Sequence, residues 1–148
     1  MDMRMRFDGA QDMRDTLKRI RQGMGQALFE KNARAALTPM RNKMASNAPV
    51  RTGRTRRSIT IAPLNKLSNY RMSSRLHDLS PASDHQYAMY VGPEITDDDD
   101  VYYIVFVELG TINAPAHPFI RPAFDQEAPG AMTYFIQSMW TDIEKLAA

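Results

Sequence analysis

The chain has three histidines and many serines and aspartates, the residue types that most often support catalysis. His77, His85 and His117 fall in predicted loops and lack the regular spacing, such as H-x-x-x-H, with which histidines bind a metal ion. No serine occupies the strand–turn–helix context of an activated nucleophile, and the chain has no cysteine. We therefore expect no enzymatic activity, no cofactor and no bound metal ion.

The second candidate for chemistry is a run of four acidic residues, Asp97, Asp98, Asp99 and Asp100. Carboxylate oxygens suit calcium or magnesium, but this run lacks the glycine and the distal glutamate of a calcium-binding loop. The alternative is a solvated charged tip between two strands, where like charges hinder mispairing with other chains. We expect the solvated, charged tip rather than a metal site.

Four arginines, Arg51, Arg54, Arg56 and Arg57, occupy the segment RTGRTRR, which is predicted to be a loop that enters a strand. A guanidinium group donates two parallel hydrogen bonds to phosphate or carboxylate. Nucleic acid is therefore one candidate partner, although the segment has no aromatic residue on which bases could stack. An acidic protein surface explains the arginines equally well.

Glu108 ends the apolar segment VYYIVFVEL, which is predicted to be a strand. Because side chains alternate along a strand, Glu108 is expected to share a face with Tyr102, Ile104 and Phe106. A carboxylate there is costly unless it is paired or reaches solvent. One hypothesis pairs it with Arg54 or Arg57, in the same chain or a neighbouring copy; the other lets the strand end reach water.

Length and charge constrain the organisation of the chain. Its 148 residues suit one domain, in which residues 1–24 form a more loosely attached helix and residues 25–146 the core. Residues 1–75 hold 17 of the 19 Lys and Arg residues but only 5 of the 17 Asp and Glu residues. This asymmetry indicates either two complementary faces or a basic face for an acidic partner. No signal peptide or membrane span is evident, so we expect a protein that stays where it is made.

Apolar spacing predicts the helices. The first helix is indicated by Met13, Leu17 and Ile20 and is expected to end near Gly23. A second helix is predicted from Gln26 to about Asn47; Pro39 either kinks it or breaks it, and in the second case Thr38 caps the helix that begins there. The C-terminal helix is the clearest, and its apolar stripe is expected in the core or in an interface: Met132, Phe135, Ile136, Met139, Trp140, Ile143 and Leu146.

Three segments read as strands: RSITIAP, QYAMYVG and VYYIVFVEL. The last two are predicted to form a long hairpin with the acidic run at its tip, and residues 64–85 a long polar loop. The connection to the last helix is stiffened by Pro115, Pro118 and Pro122. Phe119 is expected to anchor this connection onto the core or onto a neighbouring copy. The expected fold is α+β: a small antiparallel sheet packed against N-terminal helices and an amphipathic C-terminal helix.

Two sequence blocks, taken in order, resemble a known family. APVRTGRTRRSI contains Ala48, Pro49, Thr52, Gly53, Ser58 and Ile59, and FVELGTINAPAHPFIRPAF contains Val107, Glu108, Gly110, Thr111, Pro118, Phe119, Pro122 and Ala123. The pattern resembles the tail-completion, or head–tail joining, proteins of the neck of long-tailed bacteriophages, over roughly residues 25–145. The chain departs from it at Thr55, where leucine is typical, at Arg51, and in the acidic run.

The resemblance implies a virion structural protein without catalytic activity. It implies a ring, of six copies in such proteins, that joins the finished tail to the DNA-filled head after assembly in the bacterial cytoplasm. The expected partners are further copies of the chain, other neck proteins, the tail terminator or tail tube, and DNA passing through the channel. The candidate contact residues are Arg51, Arg54, Arg56, Arg57, Asp97–Asp100, Glu108, Phe119 and Arg121. The alternative function is a small nucleic-acid-binding module that uses the arginine segment.

Overall fold

A computed structural model describes residues 10–50, 53–63, 87–94 and 103–148. Over these residues the chain forms five helices and two strands, which confirms the α+β expectation. In chain order they are α1 (Ala10–Gly23), α2 (Gln26–Asn47), α3 (Arg54–Ser58), β1 (Ile59–Pro63), β2 (Met89–Pro93), α4 (Ile104–Leu109) and α5 (Ile120–Ala147).

The long helices α2 and α5 pack side by side and run in opposite directions. Asn32, early in α2, bonds to Asp142, late in α5, whereas Met44, late in α2, shares a core cluster with Ala123, early in α5. The predicted C-terminal helix is confirmed, but it begins at Ile120, well before the apolar stripe, and continues through Pro129. It therefore spans the whole length of the α2 surface.

The buried core lies where the end of α2 meets β1, α4 and the start of α5. Burying a large apolar side chain contributes about 1.5–3 kcal/mol, so this cluster is the main link between the elements. Its members are Met40, Met44, Ala48, Ile59, Ile104, Phe119 and Ala123.

The helix α2 continues through Pro39, so the predicted break with Thr38 as a new cap is wrong. The Thr38 hydroxyl instead donates to the carbonyl of Arg34, one turn back, at 2.7 Å. Proline removes one hydrogen bond from the helix, but Met40 and Met44 bury the next two turns in the core. The predicted break after Gly23 is confirmed, because α1 ends there and α2 begins at Gln26.

The two strands form an antiparallel pair, with Ile59 opposite Pro93 and Ile61 opposite Val91. Two arginines of α2 cover the β1 backbone: Arg34 donates to the Ile61 carbonyl at 2.7 Å and Arg41 to the Ile59 carbonyl at 3.0 Å. An unpaired strand edge invites pairing with other chains. These arginines satisfy backbone acceptors and join the sheet to α2.

The predicted third strand is wrong, because Ile104–Leu109 is a helix. A short segment that is apolar on every side is compatible with a buried helical turn as well as with a strand, and periodicity cannot separate the two. Ile104 is buried in the core, and Gly110 ends the helix with a left-handed φ of 77°. The long hairpin therefore does not form along residues 104–109, while residues 64–86 and Asp97–Asp100 lie outside the described residues.

The segment predicted as an arginine loop is also partly helical, because Arg54–Ser58 forms one helical turn. Gly53 precedes it with a left-handed φ of 68°, and its carbonyl accepts the Arg57 N–H at 3.2 Å. A glycine in this conformation turns the chain sharply without the steric cost of a side chain. Arg51 and Thr52 lie outside the described residues.

Candidate assembly surface

Glu108, in the last turn of α4, caps the N-terminus of α5. Its Oε2 accepts the backbone N–H groups of Phe119 and Ile120 at 2.8 and 3.0 Å, and its Oε1 accepts that of Arg121 at 2.9 Å. A helix leaves its first four N–H groups without an intrahelical partner. The fourth position here is Pro122, which has no N–H. One carboxylate and one proline thus account for all four positions.

Within the chain, the Glu108 carboxylate bonds to these three backbone donors and not to Arg54 or Arg57, which contradicts the first hypothesis for a single chain; a pair with an arginine of a neighbouring copy stays a prediction. The argument from a shared strand face also fails, since α4 is helical. A negative charge at a helix N-terminus interacts favourably with the helix dipole. Glu108 therefore joins α4 to α5 within one chain.

The connection between α4 and α5 is fixed by backbone hydrogen bonds at both ends. Thr111 N–H donates to the Ala114 carbonyl at 2.9 Å, and His117 N–H donates to the Val107 carbonyl at 2.8 Å. The connection presents apolar side chains to solvent, and Ile112 is fully exposed. Pro115 and Pro118 are exposed as well. The connection, whose prolines predicted a stiff segment, therefore presents a surface held by these hydrogen bonds.

Phe119 is a core residue. Its side chain is only 1% exposed and belongs to the core cluster, so of the two predicted alternatives Phe119 anchors the connection onto the core of its own chain and is not a surface contact residue. Arg121 is exposed and lies 4.0 Å from Asp125, one turn further along α5. Such an exposed pair contributes little to stability, and Arg121 stays a candidate contact residue.

The arginines of α3 differ in their surroundings. Arg54 and Arg57 are exposed, whereas Arg56 donates to the carbonyl of Ser46, in the last turn of α2, at 3.3 Å. A cation at a helix C-terminus interacts favourably with the helix dipole, so Arg56 has a role within the fold. Since Arg51 and Asp97–Asp100 lie outside the described residues, the contact between the arginine segment and a neighbour's acidic run stays a prediction.

Thr55, which departs from the family pattern, is nevertheless buried. Its hydroxyl lies 3.2 Å from the hydroxyl of Tyr103, which precedes α4. A buried hydroxyl is tolerated when it has a hydrogen-bonding partner. The position therefore keeps a buried contact, in polar rather than apolar form.

The predicted apolar stripe of α5 divides into two sets. Phe135, Met139, Ile143 and Leu146 are partly buried, whereas three residues at four-residue spacing are exposed: Met132, Ile136 and Trp140. Phe124, which lies outside the predicted stripe, is 53% exposed on the same helix. Contiguous exposed apolar surface on a small domain marks an interaction site.

An apolar groove of about 260 Å³ lies between α2 and α5. Alanines on both helices form its floor, because their small side chains leave space between the two backbones, and larger apolar side chains form its walls. We call it the α2–α5 groove, and it is lined mainly by Ala33, Ala36, Phe29, Phe124, Met132 and Phe135. Sequence reasoning missed it because it requires the register of two helices about a hundred residues apart.

A polar cluster holds the other end of the helix pair. The buried side chain of Asn32 donates to Asp142 Oδ2 at 3.0 Å, and Lys145 Nζ and Lys31 Nζ lie 3.3 and 3.5 Å from the same carboxylate. The hydrogen bond from Asn32, together with the two lysines, lowers the pKa of Asp142 below its usual 3.8. No catalytic arrangement is evident there, and its contacts join α2 to α5.

No protein-family model matches the chain, and the searches of curated proteins and of solved structures also gave no match. Within the described ranges, no group of three or more acidic or histidine side chains is placed to hold a metal ion. Across the same part of the chain, every helix is too short or too polar to span a membrane.

Proposed function

We propose that this chain is a structural protein of a bacteriophage neck, which assembles as a ring and joins the tail to the DNA-filled head. The proposal starts from the order and spacing of the two sequence blocks that resemble tail-completion proteins. It includes a location in the virion, at the top of the tail, and a role without catalysis. Six copies, as in the proteins that it resembles, is the expected number.

The observation that carries the proposal is the exposed apolar surface of the domain. Trp140 is 63% exposed on α5, and Ile112 is fully exposed in the connection between α4 and α5. Ring closure requires that one surface of a copy fit a different surface of the next copy. Two separate apolar surfaces on one small domain support the proposal, because a contact between copies of this kind would join two such surfaces.

The motif residues support the proposal in a second way, because they fix the segments that present these surfaces. Glu108 and Pro122 complete the N-terminus of α5, and Gly110 provides the turn that begins the exposed connection.

The nucleic-acid-binding alternative rests on Arg51, Arg54, Arg56 and Arg57, of which Arg54 and Arg57 are exposed in the described part of the chain. Each contact between an arginine and a phosphate makes the affinity fall more steeply as the salt concentration rises. Binding of duplex DNA by the purified protein, with a steep salt dependence, would favour this alternative or a contact with DNA inside the channel.

The test is electron microscopy of lysates from a phage that encodes this chain, with the gene disabled. The proposal predicts DNA-filled heads beside complete, unattached tails, and joined particles once the gene is supplied in trans. Intact infectious particles without the gene would refute the joining role.

A further inference from the structure

The helix α1 packs against α5 of its own chain and runs back along it. Thr16, Ile20 and Gly23 recur at i, i+4 and i+7 and are the partly buried positions among residues 11–23, so the contact extends over two turns. Gly23 lies at the C-terminal end of α5, where an added Cβ would be 2.5 Å from Leu146 Cδ2. Because α5 ends at Ala147, the rest of α1 can extend only towards the start of α5.

This direction brings the first residue of α1 to the α2–α5 groove. A helix rises about 1.5 Å per residue, so Ala10 lies about 20 Å back from the end of α1, and the same distance back along α5 reaches Thr133. The groove extends along α5 from Phe124 to Phe135. Thr133 lies within that span, so residues 1–9, which precede α1, are attached level with the groove.

The sequence before α1 alternates strictly between apolar and charged side chains over residues 1–8. The apolar ones are Met1, Met3, Met5 and Phe7, and the charged ones are Asp2, Arg4, Arg6 and Asp8. In an extended chain, successive side chains point to opposite sides, so this pattern predicts one apolar edge and one charged edge. Met3, Met5 and Phe7 would follow one another at intervals of about 7 Å and span roughly 14 Å in all.

The α2–α5 groove suits such an edge. It is about 16 Å long on α5, every side chain that lines it is apolar, and Phe124 and Met132 remain more than half exposed. Its volume of about 260 Å³ lies below the usual range for a small-molecule pocket, roughly 300–1,000 Å³, and such a ligand would also need polar groups to orient it. Methionine side chains are flexible and fill irregular apolar spaces, so a methionine-rich segment fits a groove with an alanine floor.

Attachment beside the groove favours residues 1–9 of the same chain as the occupant. Packed helices lie about 8–10 Å apart, a distance that three residues of extended chain span at about 3.3 Å each. A segment attached this closely binds at an effective concentration on the order of millimolar, which a separate copy would have to match.

Charge is compatible with the same occupant. The helix α2 carries more basic than acidic side chains, and α5 carries more acidic than basic ones. Residues 1–8 carry two acidic and two basic side chains on their charged edge. A segment without net side-chain charge is repelled by neither helix.

We propose that residues 1–9 fold back over the α2–α5 groove of their own chain and bury Phe7 and Met5 in it. Phe124 and Met132 are then covered, and the groove belongs to the interior of the chain rather than to its contact surface. The inference does not depend on the proposed neck function, because it concerns a contact within one chain that the purified protein can test.

Labelling of an introduced cysteine tests this contact. The chain has no cysteine, so Met132→Cys provides a single thiol whose reaction with a maleimide reports how exposed the groove is. Adding Phe7→Asp should speed the labelling about tenfold or more, because a segment that no longer buries a phenylalanine leaves the groove. The matched control is Tyr134→Cys, which is exposed beside the polar cluster, and its labelling rate should not change with Phe7→Asp.

The same rates separate this occupant from others. We expect protection of Met132→Cys that is equal at low and high protein concentration and is lost with Phe7→Asp. Protection that grows with protein concentration would assign the groove to a second copy, and protection unchanged by Phe7→Asp would assign it to another segment of the chain. Either result, or fast labelling of Met132→Cys with the wild-type segment, would overturn the proposal.

A second measurement tests the alternation of the segment. Phe7→Cys and Met132→Cys, combined in one chain, should form an intramolecular disulfide on oxidation, since a disulfide requires Cα atoms within about 7 Å and side chains that face each other. Arg6→Cys with Met132→Cys is the matched control, because residue 6 lies on the charged edge. The first pair should cross-link in clear excess in the monomer band of a non-reducing gel, and equal yields would contradict a bound segment.

Discussion

Replacing Glu108 tests how α5 is positioned. Glu108→Ala removes the acceptor of three N–H groups, at 2.8, 3.0 and 2.9 Å, while the backbone of the first turn of α5 is otherwise unchanged. Phe119 is buried and Ile120 is partly buried, so their N–H groups have little access to water, whereas Arg121 is exposed. The loss therefore falls mainly on two donors.

The expected loss of stability follows from those two donors. A buried donor without an acceptor costs about 1–3 kcal/mol, and removing a helix cap costs about 0.5–2 kcal/mol. Glu108→Ala should accordingly lower the free energy of unfolding by about 2–4 kcal/mol. Glu108→Gln keeps one acceptor oxygen but loses the charge, and should cost about 1–2 kcal/mol.

Urea unfolding followed by circular dichroism measures these losses. The matched control is Glu144→Ala, which removes an exposed glutamate from the same helix and should change stability by no more than about 0.5 kcal/mol. The structure also predicts that Glu108→Gln and Arg57→Ala are additive within about 0.5 kcal/mol, because the two side chains are not paired. A Glu108→Ala variant as stable as the wild type would refute the capping role.

Three further predictions concern stability, each measured by urea unfolding. The pKa of Asp142 is lowered in the folded chain, so its carboxylate stabilises the fold above its usual pKa of 3.8 and loses that contribution as the pH falls through the lower folded pKa. Asp142→Asn should therefore be less stable than the wild type at pH 7, and the difference in stability should disappear in acid. Arg34→Met and Arg41→Met should each cost about 1–2 kcal/mol, because a β1 carbonyl loses its donor. Gly110→Ala should cost more than about 1 kcal/mol, because φ at this position is 77° and the added Cβ would lie 2.8 Å from the Ala116 nitrogen. Gly130→Ala should instead stabilise the chain by up to about 1 kcal/mol, because this position lies within α5 and the added Cβ would meet open space.

The sequence predicted the elements whose signals are local. Gly23 and Gly25 separate α1 from α2, and the apolar spacing that begins at Met132 identifies the C-terminal helix. Both strands of the sheet were predicted within a few residues of their observed bounds. Such signals depend on neighbouring residues in one segment, so a single sequence is sufficient to read them.

The sequence did not predict features that depend on distant partners. VYYIVFVEL was read as a strand because β-branched and aromatic residues favour strands, but the packing of Ile104 in the core accompanies a helical turn instead. The partners of Glu108 were missed because they are backbone N–H groups, which every residue except proline carries and which leave no mark in the sequence. Asn32 and Asp142 meet only after α2 and α5 have packed.

The arginine segment shows the same limit for the candidate contact residues. Its composition indicates a basic surface, but composition does not separate Arg56, which bonds to the end of α2, from the exposed Arg57. Nor did it separate Phe119, a core residue, from Phe124, which lines the groove. Both distinctions depend on how the helices turn relative to the core.

The most direct test of the central claim is complementation in vitro. Heads and tails from the gene-disabled phage are mixed with the purified protein or with buffer, and the infectious particles are counted. The joining role predicts that infectious particles increase with added protein well above the buffer control. No increase, with separately competent heads and tails present, would contradict it.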